Sequence, residues 1–343
     1  MSLNSDRLLT LARQDAFRPS GRFECLAEDH VPFDHLTGQT RYEQMLIQTV
    51  TGPEGLCLVF GAAGTGKTSL ISWACHHLPE SHVALRVPVA ALEDPGDVKV
   101  LAGTVIVSAA RATADLTDEQ RTDLASTAAD RRTTRPAGKT FRRGTLGGGP
   151  VPAQLHLDLG ALYEEYEREG LPVDRFHGLD RLISIFVERQ KYLVLVLEDT
   201  DAMAGGPGQQ ADRFLSAVLV LSRELDAPII VAVQDHHRGA SYDRLRQAGR
   251  EIDIPTLANT ENALRSIVAR RLHRADLDSA PVSEILDDAA ITGLVSVYDE
   301  SGGNLRQLLA VLQSALDHAV DEQADLLTFP HIRYGIQATR RTR

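Results

Sequence analysis

Two groups of residues in this chain have the types and spacing needed for phosphate chemistry. The first is Gly61-Ala62-Ala63-Gly64-Thr65-Gly66-Lys67-Thr68, followed by Ser69. It fits the pattern GxxxxGK[ST] of a phosphate-binding loop. Glycines at this spacing let successive backbone N–H groups turn inward around an anion, and a helix starting there aims its positive end at the same point. Lys67 then reaches the β- and γ-phosphates, and the Thr68 hydroxyl holds Mg²⁺. The second group is Glu198-Asp199-Thr200-Asp201, which closes the apolar run Tyr192–Leu197. Acids at the carboxyl end of a buried parallel strand stand where such sheets bind ligands. There they can hold Mg²⁺, and a second carboxylate can polarise an attacking water.

The elements that must position these groups are legible around them. Leu56–Phe60 is a short apolar run and reads as a buried strand, with the helix from Ser69 following the loop. Val83–Val87, Leu193–Leu197 and Pro228–Val233 read as further strands, and Leu179–Arg189 as an amphipathic helix. Strands alternating with helices predict a parallel α/β sheet. From about Pro255 the pattern is helical to the end, and no internal repeat is present. In Asn262–Leu272 the apolar positions 263, 264, 267, 268 and 272 make one buried stripe. A second stripe runs through Leu308, Leu309, Val311, Leu312, Ala315 and Leu316. Residues 109–152 shift to Ala, Thr, Asp, Arg and Gly and end in Gly147-Gly148-Gly149-Pro150, the composition of a mobile insert. Gln154–Leu159 alternates and could add a strand.

Composition excludes several classes. A length of 343 residues suggests about two domains, and 43% apolar residues are ample for a core. No apolar stretch nears the ~20 residues of a membrane span. The amino terminus lacks a signal-peptide pattern, so a cytoplasmic protein is expected. Cys25, Cys57 and Cys75 are far apart and read as small hydrophobes in a reducing compartment. The pairs His76-His77 and His236-His237 point apart on a helix or strand, so no zinc site is expected. A net charge of −11 argues against a surface coated for nucleic acid. Local basic clusters remain: Arg131, Arg132, Arg135, Lys139, Arg142 and Arg143 in the insert, and Arg340, Arg341 and Arg343 at the end.

The loop GAAGTGKT, the strand with acids LVLVLEDTD, and the segment Ser301-Gly302-Gly303-Asn304-Leu305-Arg306 together resemble AAA+ ATPases, within them the origin-recognition initiator type and its bacterial relatives. The resemblance covers about residues 31–335. It implies a P-loop α/β domain over 31–255 behind a polar leader, 1–30, and a helical lid domain over 256–343. In the family an arginine at the position of Arg306 reaches from the lid to the γ-phosphate, and His35-Leu36-Thr37-Gly38-Gln39 looks like the segment lying near the adenine. Gln234 matches by position the polar sensor that follows the fourth strand. Arg244, Arg246 and Arg250 are candidates for the arginine finger that acts on a neighbouring subunit's ATP, which implies a homo-oligomer.

One departure from the family matters. The usual order after the third strand is Asp then Glu, and here it is Glu198 then Asp199. Glu198 then falls in the Mg²⁺ shell and Asp199 in the base position, one methylene short. Positioning dominates this chemistry, so slow hydrolysis is expected, suiting an ATP-controlled switch. The basic cluster Arg131–Arg143 could grip DNA phosphates, but with Phe141 as its lone aromatic it reads rather as a solvated loop. The chain stops at Arg343, too soon for a winged-helix domain after the lid, so a partner protein is expected to complete its output. Two functions follow: an oligomerising AAA+ ATPase acting on DNA or a partner, in initiation, transposition or anti-phage defence; or a STAND-like switch in which bound ATP or ADP sets a state with little turnover. No NKxD-like guanine motif supports a GTPase, and no feature marks a kinase acceptor.

Overall fold

The structure is a computed structural model that describes residues 3–19, 23–38, 41–52, 55–91, 94, 96–112, 175–198, 200, 208–257, 259–277 and 280–341. Elements are numbered along these residues. Five strands, β1 (Leu56–Phe60), β2 (His82–Pro88), β3 (Tyr192–Glu198), β4 (Ile229–Val233) and β5 (Arg250–Asp253), form one sheet in the order β2-β3-β4-β1-β5. Every pairing is parallel, with Leu58 opposite Val231 and Leu197 opposite Val231 on the other side. β1 and β4 are buried along their whole length, which is why both read as unbroken apolar runs. The possible strand at 154–159 and the insert from residue 113 onward lie outside the described residues.

Alternation along the strands divides the core into two layers. Leu56, Leu58, Phe60, Leu195, Leu197, Val231 and Val233 face one side. There they meet α6 (Val98–Ala112), α7 (Arg175–Glu188), α8 (Gly208–Glu224) and α9 (Ala240–Ala248). Cys57, Val59, Val194, Val196, Ile230 and Ala232 face the other side, against α4 (Tyr42–Thr51) and α5 (Lys67–His76). That second layer is continuous with the core of a helical unit made of α10 (Thr260–Arg274), α11 (Asp288–Glu300), α12 (Leu305–Asp321) and α13 (Phe329–Arg341).

The amino-terminal residues, read from sequence as a polar leader, belong to this same layer. Leu8 and Leu11 of α1 (Leu3–Arg13) and the following Phe17 are 0% exposed, and the Phe17 N–H donates to Gln313 Oε1 of α12 at 2.9 Å. The segment continues through α2 (Phe23–Glu28) and α3 (Phe33–Thr37), so a strap of chain joins the helical unit to the sheet. Its pattern disguised it, because its apolar residues are interrupted by charged and polar ones and form no long apolar run.

The helices of the lid start where the side chains dictate. Asn259, Asp287 and Asn304 each accept a hydrogen bond from the backbone N–H three residues on, at 3.2, 2.6 and 3.0 Å. The stripe expected over 262–272 is buried at Ala263, Leu264, Ile267, Val268 and Leu272. α13 clamps α12 at a point without a side chain: a Cβ on Gly335 would lie 2.3 Å from the Val311 carbonyl oxygen. Gly335→Ala must therefore push the two helices apart, and should lower stability by about 1–3 kcal/mol, the range for overpacking a tight core. Urea unfolding of the purified variant checks this, and an unchanged midpoint would refute the close contact.

Candidate nucleotide site

The loop Gly61–Gly66 connects β1 to α5 at the carboxyl edge of the sheet. The Gly61 N–H donates to the Val233 carbonyl at 3.2 Å and so moors the loop to β4. Gly64 and Gly66 have φ of 80° and 102°, a region in which side chains are strained, so the turn depends on glycine at both. Lys67 opens α5 and is 7% exposed; its Nζ donates to the Gly61 and Ala62 carbonyls at 2.8 and 2.7 Å. The Thr65 hydroxyl donates to the Ala62 carbonyl at 2.9 Å. The ammonium and the helix amino end thus converge on one point, the arrangement that suits an anion.

The lid meets the loop directly. The Leu305 N–H donates to the Gly64 carbonyl at 3.0 Å, and a Cβ on Gly64 would lie 2.2 Å from Asn304 Oδ1. The GGNLR segment is therefore seated on the phosphate loop, and the next residue, Arg306, lines the same cavity as Lys67 and Thr68. That cavity has a volume of about 210 Å³. Its cations are Lys67, Arg86, Arg271 and Arg306. Its apolar wall includes Val31, Leu36, Ile267 and Leu309, drawn from the strap and the lid. Leu36 comes from the segment expected near the adenine; His35 is exposed, and Gln39 is outside the described residues.

Of the acidic group, Glu198 and its surroundings are described. Glu198 ends β3 at 0% exposure and accepts a hydrogen bond from Arg86 Nε, a residue of β2. Arg86 also lies over the Phe23 ring at 4.9 Å and lines the cavity. Sequence reasoning passed over Arg86, although a charge inside an otherwise apolar buried strand is itself a signal. Thr200, the next described residue, is 1% exposed and donates to the Ala232 carbonyl at 3.0 Å. Asp199 and Asp201 are outside the described residues. Cys75 lies near Glu198; burial first, then that carboxylate, push its thiol up to about 12, so it stays protonated.

The remaining expected residues sit nearby or on the surface. Gln234 follows β4 at 4% exposure; its backbone N–H donates to His237 Nδ1 at 2.8 Å, and its side chain does not line the cavity. Arg244 and Arg246 are exposed on α9, Arg246 facing Glu251 at 3.8 Å, and Arg250 begins the edge strand β5. The cluster Arg131–Arg143 and Arg343 are outside the described residues. Among those residues no cluster of metal-ligating side chains occurs, and no helix is long and apolar enough to cross a membrane.

The strap adds a polar network that sequence reasoning missed. His30 and Glu43 are 4% and 8% exposed, with His30 Nε2 to Glu43 Oε1 at 2.8 Å and His30 Nδ1 to Ser69 Oγ at 3.1 Å. The same Glu43 oxygen accepts the Phe33 N–H at 2.9 Å, and Ser69 Oγ donates to the Leu26 carbonyl at 3.3 Å. Ser69, in the first turn of α5 just after the phosphate loop, is thereby tied to the strap. Burial pushes the Glu43 carboxyl up, but the His30 and Phe33 hydrogen bonds outweigh it and hold the group below its ordinary 4.5. A depressed acid contributes stability above its unfolded pKa and loses it as pH falls through the folded one. Glu43→Gln should cost about 1.5–3 kcal/mol at neutral pH, the worth of a hydrogen bond to a charged group. The deficit should shrink as pH falls below 4.5. Urea unfolding at neutral and at acid pH measures both, and a deficit independent of pH would sink the account.

A parallel sheet with the phosphate loop after β1, acids after β3 and a helical lid seated on the loop defines a P-loop α/β fold with a helical domain. No protein-family profile and no curated protein matches the chain. Among solved structures, the Aeropyrum pernix ORC2 protein in its ADPNP-ADP complexes is similar at 14% identity over 88% of this chain and 69% of that one, with a TM-score of 0.52. Aeropyrum pernix ORC1 in complex with DNA matches at 16% identity over 91% of this chain and 66% of that one, with a TM-score of 0.48. Drosophila ORC bound to DNA matches at 14% identity over 92% and 66%, with a TM-score of 0.44. At such identities the likeness is one of fold, and the ORC2 comparison carries it. The fold is similar to that of the Aeropyrum pernix ORC2 protein. The chain spans 66% of the length of the ORC1 protein.

Proposed function

We propose that the chain is an ATP-binding AAA+ module that hydrolyses ATP slowly and acts, as an oligomer, on DNA or a partner protein. One observation carries the reading: the Leu305 N–H rests on the Gly64 carbonyl, so that Lys67 and Arg306 line a single cavity. A nucleoside triphosphate there has its phosphates against Gly61–Ser69 and its base against the apolar wall of Val31, Leu36 and Ile267. Residues 31–255 form the nucleotide-binding domain and 256–343 the lid. Lys67 and Arg306 stabilise charge on the terminal phosphates, Gln234 serves as the polar sensor, and Asp199 orients the attacking water.

Thr68 and Glu198 offer a hydroxyl and a carboxylate, the oxygen donors that a hard cation prefers. They fit Mg²⁺ in type, with Glu198 engaged by Arg86. Mg²⁺ supplies neutralisation of the phosphate charge that builds as the terminal bond breaks. The Arg86 contact also supports slow turnover, because it competes for the carboxylate the ion would use. That same contact favours, as the second reading, a STAND-like switch in which ATP or ADP sets a state with little hydrolysis.

Assembly is proposed through Arg244, Arg246 or Arg250; the first two are exposed on α9, and Arg250, partly buried, begins the edge strand β5. DNA contact is proposed through Arg131–Arg143. Initiation, transposition or anti-phage defence are the proposed kinds of role, and the ORC2 structure with ADPNP and ADP supports the nucleotide-binding part of the reading.

Lys67→Ala should abolish ATP binding, and Asp199→Asn should keep binding while losing hydrolysis. Titration calorimetry and a phosphate-release assay separate the two. If Glu198→Gln alone stops turnover, the roles of Glu198 and Asp199 are reversed. The rate per subunit, measured against protein concentration with and without duplex DNA, should climb in both series for a DNA-linked assembly. A low rate that is flat in both would favour the switch.

A further inference from the structure

Arg271 lines the cavity and has no part in the reading above. It stands on α10 one turn after Ile267, on the buried stripe of that helix, where an arginine is out of place unless something holds its charge. Its side chain is 5% exposed. One Nη1 lies 2.7 Å from Asp29 Oδ2 and donates to the Ala16 carbonyl at 3.2 Å, while Nε is buried with no hydrogen-bond partner.

The charges do not close. Arg274 Nη1 donates to both Asp29 oxygens, at 2.8 and 2.7 Å, so two guanidiniums share one buried carboxylate. Burying a guanidinium with half a counter-ion and an orphaned N–H is unfavourable by itself, and an anionic acceptor in the cavity would offset it. Burial, with Arg274 beside it, also lowers the proton affinity of Arg271 despite Asp29, so its charge is poorly compensated.

The location picks out which part of an anion. Asp29 precedes His30, whose Nδ1 contacts Ser69 Oγ in the first turn of α5, past the end of the loop opposite Gly61 and Ala62, where the Lys67 ammonium sits. Ile267, one turn before Arg271, belongs to the apolar wall.

We propose that Arg271 is a second lid cation, contacting the nucleotide at the phosphate next to the nucleoside. This rests on the nucleotide reading of the site and deepens it. That phosphate is common to ADP and ATP, so Arg271 holds the lid to either nucleotide, whereas Arg306 responds to the terminal phosphate alone.

The test is titration of ADP and of ATP into the wild-type chain and Arg271→Met. Asp29 keeps its contacts with Arg274 in this variant, and thermal melting without nucleotide checks its fold. Affinity for both nucleotides should fall by the same factor, about tenfold or more for a lost charged hydrogen bond. Arg271→Lys should recover most of it, and Arg306→Met should weaken ATP more than ADP. Unchanged affinities, a loss confined to ATP, or a lysine variant as weak as the methionine would overturn the proposal. If Arg271→Met does not fold, Arg271→Gln takes its place, keeping a polar side chain while removing the charge: an equal loss for ADP and ATP supports the contact, and unchanged affinities or a loss confined to ATP refute it. A wild-type chain that binds neither nucleotide removes the nucleotide reading itself. Wild-type binding matched by Arg271→Met removes only this inference.

Discussion

The site depends on the close approach of the lid to Gly64. The Leu305 N–H donates to the Gly64 carbonyl while Asn304 Oδ1 occupies the space that any side chain at Gly64 would need. A turn that requires positive φ and a surface that must admit another element's backbone meet in one residue. Asn304 serves both partners, capping α12 through the Gln307 N–H and packing on the loop. The direction in which α12 leaves the sheet, and so the position of Arg306, follows from this contact. The clamp of α13 on α12 at Gly335 keeps that helix from drifting.

The second organising feature is the strap of residues 3–37, which links loop and lid by buried polar contacts. His30 joins Ser69 of α5 to Glu43 of α4, Asp29 takes Arg271 and Arg274 of α10, and Gln313 of α12 accepts the Phe17 N–H. Arg7 and Glu284 pair at the outer end. Apolar packing alone would let these elements slide, because it is non-directional. Buried charges and hydrogen bonds cost desolvation, but their partners meet in one register only, which makes the cavity wall specific.

The acidic chain and the cation-rich cavity are compatible because the charges act over different distances. A net charge of −11 acts on the whole surface and is screened by salt beyond about 10 Å. Lys67, Arg86, Arg271 and Arg306 act together inside one cleft, where the dielectric is lower and screening weaker. One of these cations is already paired, since Arg86 donates to Glu198 at the end of the neighbouring strand β3.

The local sequence determined whatever is encoded in a few adjacent residues. The loop Gly61–Thr68, the buried strands β1, β3 and β4, and the apolar stripe of α10 are of this kind, because backbone preference and hydrophobic period are local properties. The GGNLR segment also announced itself, although its Leu305 bonds to Gly64, 241 residues earlier in the chain. The tertiary structure alone decided the rest. Arg86 and Glu198 become neighbours only through the pairing of β2 with β3, and Asp29 meets Arg271 only when the strap crosses the lid. Those pairings depend on which distant elements share a surface. An isolated arginine in a strand or on an apolar stripe signals that a partner exists, and only the packed chain supplies which one.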